Sequence, residues 1–168
     1  MTSTFVLGGA RSGKSRHAQR LIEDVPGSLA YIATGEAFDD EMEARIALHR
    51  EERGPRWSTI EAPLDLAGAI PRAALRADAI MVDCLTLWLS NLMMADAALE
   101  PHFEALCRAI GACPVPLAVV ANEVGLGLVP ETPLGRAFRD EAGRLNQRVA
   151  AVAGSVVFIA AGLPLKLK

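Results

Sequence analysis

Short apolar runs recur along the chain at Thr4–Leu7, Leu29–Ala33, Trp57–Ile60, Ala79–Val82, Leu117–Ala121 and Val156–Ala161, and stretches of helical periodicity lie between most of them. Near-continuous apolar runs suit strands buried on both faces, and their alternation with helices predicts an α/β fold with a mainly parallel sheet. Behind the first run, Arg16–Glu23 carries Ala18, Leu21 and Ile22 on one face and reads as an amphipathic helix. Pro63 suits the first turn of a later helix, Pro71 its break, and Pro101 the start of another. Pro114-Val115-Pro116 leads into the fifth run, and a Gly/Pro-rich loop from Val124 to Pro133 follows it. No repeat, low-complexity tract or shift in composition divides the chain, so residues 1–168 are expected to form one domain.

Composition narrows the picture. The chain is 51% hydrophobic and 22% charged, which fits a folded globular protein rather than a disordered one. No stretch approaches the ~20 apolar residues that span a bilayer, and no basic region with an apolar signal core opens the chain, so a cytoplasmic location is expected. Cys84, Cys107 and Cys113 form no C-x-x-C pair, which argues against a disulfide framework and a structural zinc and suits small buried hydrophobes. The formal net charge of −3 offers no general attraction to nucleic acid.

Chemistry enters directly after the first run. Gly8, Gly9, Ala10, Arg11, Ser12, Gly13, Lys14 and Ser15 fit G-x-x-x-x-G-K-[ST], the phosphate-binding loop of nucleotide-binding proteins, between a strand and a helix as that loop requires. Glycines at 8 and 13 permit backbone conformations that turn successive N–H groups inward around phosphate oxygens. The helix that follows directs its positive end to the same place. Lys14 is the group to reach the terminal phosphates, and the Ser15 hydroxyl the group to bind magnesium.

In open parallel sheets ligands lie beyond the carboxyl ends of the strands. The fourth run ends in Asp83, the form of the acidic residue that completes a magnesium site opposite such a loop. The fifth ends in Asn122-Glu123 and a flexible loop, which reads equally as a simple turn or as a substrate-binding element; the second ends in Thr34-Gly35. Asp39–Pro55 reads as a helix with acids first and bases later, closed by Gly-Pro. Met42, Ile46, His49 and Arg53 share one stripe of it, with Arg45 a turn before His49. Two readings stand: a charge-paired helix in solvent, or arginines on phosphate oxygens beside an imidazole kept neutral and nucleophilic. His17 and His102 are poorer candidates for such a role.

Several ordered segments carry a family resemblance: GGARSGKSRHA at Gly8–Ala18, YIAT at Tyr31–Thr34, DDEMxxRIxxHR from Asp39 to Arg50, W-x-T-I-E at Trp57–Glu61, NEVGLGLVPE at Asn122–Glu131 and GRLNQR at Gly143–Arg148. The chain resembles the bifunctional adenosylcobinamide kinase/adenosylcobinamide-phosphate guanylyltransferase family of cobalamin biosynthesis. The resemblance implies a RecA-like P-loop NTPase fold and two reactions. A hydroxyl on the aminopropanol arm of adenosylcobinamide is phosphorylated by ATP or GTP; GTP then donates GMP to that phosphate with release of pyrophosphate, through a GMP–histidine intermediate at His49. By the same matching, Gly8 to Ser15 hold the triphosphate, Ala33, Thr34, Gly35, Arg50, Glu51, Glu52, Arg53, Glu61 and Asp83 contribute to the GTP site, and Ser15 and Asp83 serve Mg2+. A homo-oligomer is implied, with a trimer as its expected form. The match leaves open which residue positions the substrate hydroxyl in the kinase step, Glu123 or Asp83.

Two other classes remain to be separated from this one. A plain P-loop small-molecule kinase needs the loop and Asp83 but no covalent histidine. A GTP-regulated switch is suggested by the D-x-x-G match at Asp65–Gly68, though no N-K-x-D guanine-recognition element is present.

Overall fold

The computed structural model describes residues 3–35 and 54–168. The expected helix around His49, with Arg50, Glu51, Glu52 and Arg53, lies outside the described residues.

The described chain forms strands β1 (Ser3–Gly8), β2 (Leu29–Ala33), β3 (Trp57–Glu61), β4 (Ala79–Asp83), β5 (Leu117–Asn122), β6 (Ser155–Ala160) and β7 (Leu163–Lys166). Its helices are α1 (Lys14–Glu23), α2 (Leu66–Ala74), α3 (Leu85–Met94), α4 (Leu99–Ala112) and α5 (Pro133–Val152). The strands make one seven-stranded sheet in the order β3-β2-β4-β5-β1-β6-β7. All neighbours are parallel except β6 and β7. The mostly parallel P-loop NTPase sheet expected from the sequence is therefore present. The carboxyl ends of β1 to β6 fall on one edge.

Side-chain alternation divides the core between the two faces of the sheet. Val6, Met81, Ala118 and Val120 pack with Ala18 and Ile22 of α1 on one face. Phe5, Leu7, Val82, Val119 and Val156 pack with α2 to α5 on the other. Helix α3 is buried nearly all round, with Leu85, Trp88, Leu89 and Leu92 fully covered. Burial of each such side chain contributes on the order of 1.5–3 kcal/mol.

Three expectations are corrected. Pro71 does not break a helix; it lies inside α2, which runs on to Ala74. The helix survives the lost N–H because Leu66, Ala69, Ile70 and Ala73 form a buried stripe and Asp65 caps the amino end by accepting from the Gly68 N–H at 3.0 Å. That cap also displaces Pro63 from the helix, which opens at Leu66. Strand β7 was not anticipated, because its four residues are all exposed and show no buried face. It exists as an antiparallel partner that turns back along β6.

Candidate active site

The loop after β1 has the geometry of an anion cradle. Arg11 and Gly13 both take left-handed backbone conformations, with φ of 55° and 94°, and such alternation turns consecutive N–H groups into one concavity. Gly13 precedes α1 without any side-chain cap, leaving the first-turn N–H groups of the helix open to an anion. Gly8 is required for a different reason from the one anticipated. A Cβ there would meet Ser12 Oγ at 2.5 Å and the Ile159 carbonyl at 2.7 Å, so the constraint is space rather than backbone angle. The turn between β6 and β7 braces the loop from outside, the Gly162 N–H donating to the Ser12 carbonyl at 2.9 Å.

Lys14 is buried to 9% exposure, and its Nζ donates to the Gly9 carbonyl at 3.2 Å. The ammonium thus folds back over the loop, where a phosphate oxygen would compete for it. Ser12 Oγ is buried without a hydrogen-bond partner. A buried hydroxyl left in this state costs about 1–3 kcal/mol, and a phosphate oxygen in the cradle would satisfy it. Ser15 lies in the first turn of α1, beside the loop.

The other predicted residues assemble along the same edge. Ala33 pairs with Glu61 on one side and with Asp83 on the other, so the two carboxylate-bearing residues flank a residue with only a methyl side chain. Alternation along β2, β3 and β4 turns all three toward the face that α1 covers. β5 alone separates β4 from β1, and Asp83 and Val6 both pair with Val120, so Asp83 stands two strand spacings, roughly 10 Å, from Val6, two residues before Gly8. The Tyr31 hydroxyl donates to Asp83 Oδ2 at 3.3 Å. A hydroxyl from Ser15 and a carboxylate from Asp83 are both hard oxygen donors, the kind that magnesium prefers, so the residues fit that ion. Among the described residues no cluster of three or more His, Cys, Asp or Glu side chains could hold a metal by itself.

Behind this rim lies a buried polar network that sequence reasoning missed. The Thr34 hydroxyl accepts from the Cys84 N–H at 2.8 Å and donates to the Cys84 carbonyl at 2.7 Å. The Asn91 amide, on α3, donates to the carbonyls of Thr34 at 2.7 Å and Pro63 at 3.1 Å. Trp88 adds an indole N–H to the Leu64 carbonyl at 2.8 Å. Helix α3 therefore ties together the turns after β2, β3 and β4. A lone Asn in an apolar helix was the available signal, and its partners are 57 and 28 residues away.

The remaining titratable groups sort by their contacts. Burial, and then the neighbouring Asp83 charge, pushes the Cys84 thiol up, which leaves it protonated and unreactive. His102 bonds the Ala98 carbonyl at 2.7 Å through Nδ1 and meets Trp88 edge-on, a packing role within α4. The D-x-x-G match at Asp65–Gly68 is the α2 cap, which removes the structural basis for reading it as a switch element.

The sheet, its loop and the acidic rim define a P-loop nucleotide-binding protein of the α/β class. The solved KaiC-like protein PH0186 from Pyrococcus horikoshii shares this fold, with a TM-score of 0.52 at 13% identity over 94% of this chain and 71% of that one. The family described as cobinamide kinase / cobinamide phosphate guanyltransferase matches residues 4–167. The bifunctional adenosylcobalamin biosynthesis protein CobP of Pseudomonas aeruginosa is 47% identical over 166 residues, covering 98% of this chain and 96% of its own. CobU of Salmonella typhimurium, of the same description, is 42% identical over 179 residues and 98% of each chain. The chain belongs to the cobinamide kinase/cobinamide phosphate guanylyltransferase family, and is an enzyme of cobalamin biosynthesis.

Proposed function

We propose that this chain carries both transfers of its family on one P-loop site, first a phosphoryl group and then GMP, with His49 as the covalent carrier of GMP. The observation that supports this most is the shared edge. The loop from Gly8 to Ser15, the Thr34-Gly35 turn, Glu61 and Asp83 all open on the carboxyl side of one sheet.

In this reading the inward N–H groups of Gly9 to Lys14 hold the β- and γ-phosphates, and Lys14 exchanges its bond to Gly9 for one to the triphosphate. Ser15 and Asp83 would hold Mg2+, which supplies charge neutralisation on the phosphates when bound. Ala33, Gly35 and Glu61 line the nucleotide at the far end of the rim, the buried Thr34 holds that turn in place, and Arg50, Glu51, Glu52 and Arg53 serve the same nucleotide. In the second transfer, neutral His49 attacks the α-phosphorus in line; the pyrophosphate leaves while Lys14 and neighbouring arginines stabilise its charge. The phosphate of adenosylcobinamide phosphate then displaces the histidine and takes the GMP.

Assembly of several copies belongs to the same reading. Leu163 and Leu165 share one side of β7, Leu167 follows its last residue, and each is more than half exposed. A second copy that covers this strand would bury them, and light scattering of the purified protein tests it.

The test of the two-step activity is to supply adenosylcobinamide, Mg2+ and either ATP or GTP, and to separate the products. Adenosylcobinamide phosphate with either donor, followed with GTP by a GDP-linked product and one pyrophosphate per GMP transferred, supports the reading. Phosphorylation alone with GTP would reduce it to a plain kinase.

A further inference from the structure

Glu123 lies directly beside the P-loop. Its N–H donates to the carbonyl of Gly8, the first residue of the loop, at 3.0 Å. Its carboxylate is aimed by the Gly125 N–H, which donates to Oε1 at 2.6 Å. From Glu123 a groove of about 390 Å³ runs along the face of the sheet opposite α1, between α5 and the strands. Leu7, Ala150, Val156 and Leu167 form its apolar walls, and the carboxamides of Asn146 and Gln147 line it together with Lys168. Asn146 is buried and fixed, its Nδ2 donating to the Asn122 carbonyl at 3.4 Å.

The two carboxylates left open by the sequence therefore occupy different places. Asp83 faces the α1 side of the sheet, on the rung it shares with Ala33, and is engaged by Tyr31. Glu123 faces the groove on the other side, one residue beyond the partner of Gly8 in the adjoining strand. Asp83 thus suits the metal and nucleotide, and Glu123 suits whatever approaches the end of the triphosphate from the α5 side. That groove offers apolar walls, two carboxamides and a carboxylate, and its one ammonium, on Lys168, is engaged by the carbonyls of Ala150, Ala151 and Ala153. The complementary ligand is an aliphatic, amide-bearing chain that ends in a hydroxyl.

We infer that this groove is the acceptor site of the kinase step, that it takes the hydroxyl-bearing amide arm of the cobinamide, and that Glu123 receives the proton of that hydroxyl. The inference rests on the two-step reading above. In the step, the hydroxyl oxygen forms a bond to the γ-phosphorus as the bond from that phosphorus to the β–γ bridging oxygen breaks. The electron pair stays on the departing nucleoside diphosphate, and the proton passes to the Glu123 carboxylate and then to water. Phosphoryl transfer needs positioning more than covalent help, and a carboxylate that accepts the hydroxyl proton is the usual form of that help. Gln147 would orient the amide of the arm and so act on affinity rather than on the chemical step.

The test uses Glu123→Gln and Gln147→Leu in the full chain. Glutamine keeps an oxygen for the Gly125 N–H, so thermal unfolding should match the unaltered protein. For Glu123→Gln the expected result is a fall in kcat for phosphorylation of adenosylcobinamide of about 10²-fold. GTP affinity and GMP transfer to supplied adenosylcobinamide phosphate should hold. Gln147→Leu should raise KM for adenosylcobinamide with little change in kcat. Unchanged phosphorylation by Glu123→Gln overturns the inference. So does a parallel loss of GTP affinity, which would make Glu123 a brace for the loop. If the unaltered protein transfers no phosphate to adenosylcobinamide, the two-step reading itself fails, and the acceptor site fails with it.

Discussion

The Thr34 hydroxyl closes a two-way bridge to the backbone of Cys84, accepting from its N–H at 2.8 Å and donating to its carbonyl at 2.7 Å. Thr34 is fully buried and follows β2, while Cys84 follows Asp83 at the end of β4. The bridge therefore sets the height of Asp83 against the Thr34-Gly35 turn. Thr34→Val keeps the shape and removes both bonds, leaving the buried Cys84 N–H unpaired while the Cys84 carbonyl keeps the Trp88 N–H at 3.2 Å. The expected loss is about 1–3 kcal/mol of stability, read by urea unfolding, together with weaker GTP binding by calorimetry.

Asn91 should act with Thr34 rather than beside it, because its amide donates to the Thr34 carbonyl at 2.7 Å. Asn91→Leu alone should destabilise the fold and raise KM for GTP more than it lowers kcat. In a double-mutant cycle with Thr34→Val, the two losses should fall short of additive by about 0.5–3 kcal/mol, the range for residues in one network. Strict additivity would separate the two sites.

Asp65 provides a pH-dependent element away from the chemistry. The hydrogen bond from Arg72 lowers its pKa most, partial burial opposes it, and the Gly68 N–H and the Arg72 charge lower it further. A depressed folded-state pKa means that the stabilisation is present above the unfolded carboxylate value of about 3.9 and is lost as pH falls through the folded value. The Asp65 and Arg72 side chains are 68% and 58% exposed, so solvent screens their pair and the stabilisation linked to pH is small. Asp65→Ala should cost about 1 kcal/mol at neutral pH. The gap between variant and parent should close in acid unfolding curves below the carboxylate range.

The cysteines should separate by reactivity. All three thiols are pushed up by burial, but Cys84 is buried beside Asp83 whereas Cys107 and Cys113 are only partly buried. Alkylation of the folded protein at mildly alkaline pH, followed by mass spectrometry, should label Cys107 and Cys113 first. Cys84 should label only in denaturant.

Strands β1 to β6 were legible because each is a short apolar run, and the P-loop because its spacing has few other physical uses. Asp83 and Thr34 could be placed on the rim because each stands just after such a run. Other features depend on contacts that a linear reading does not contain. Pro71 sits within α2 because the buried stripe around it outweighs one missing bond. β7 is held by pairing with β6 rather than by burial of its own. Asn91 looks like a stray polar residue until Thr34 and Pro63 arrive against it. Glu123 and Asp83 were indistinguishable as carboxylates after strands, and only the alternation of β4 and β5 assigns them to opposite faces.

The measurement that bears most directly on the central claim is a labelling experiment with GTP. The purified protein and a His49→Ala variant are incubated with Mg2+ and GTP labelled at the α- or the γ-phosphate, and protein-bound label is tested for acid lability and base stability. The account predicts label from the α-position only, lost in acid, kept in base and absent from the variant. Catalytic GMP transfer by the unaltered protein with no covalent label, or with label that persists in His49→Ala, would contradict it.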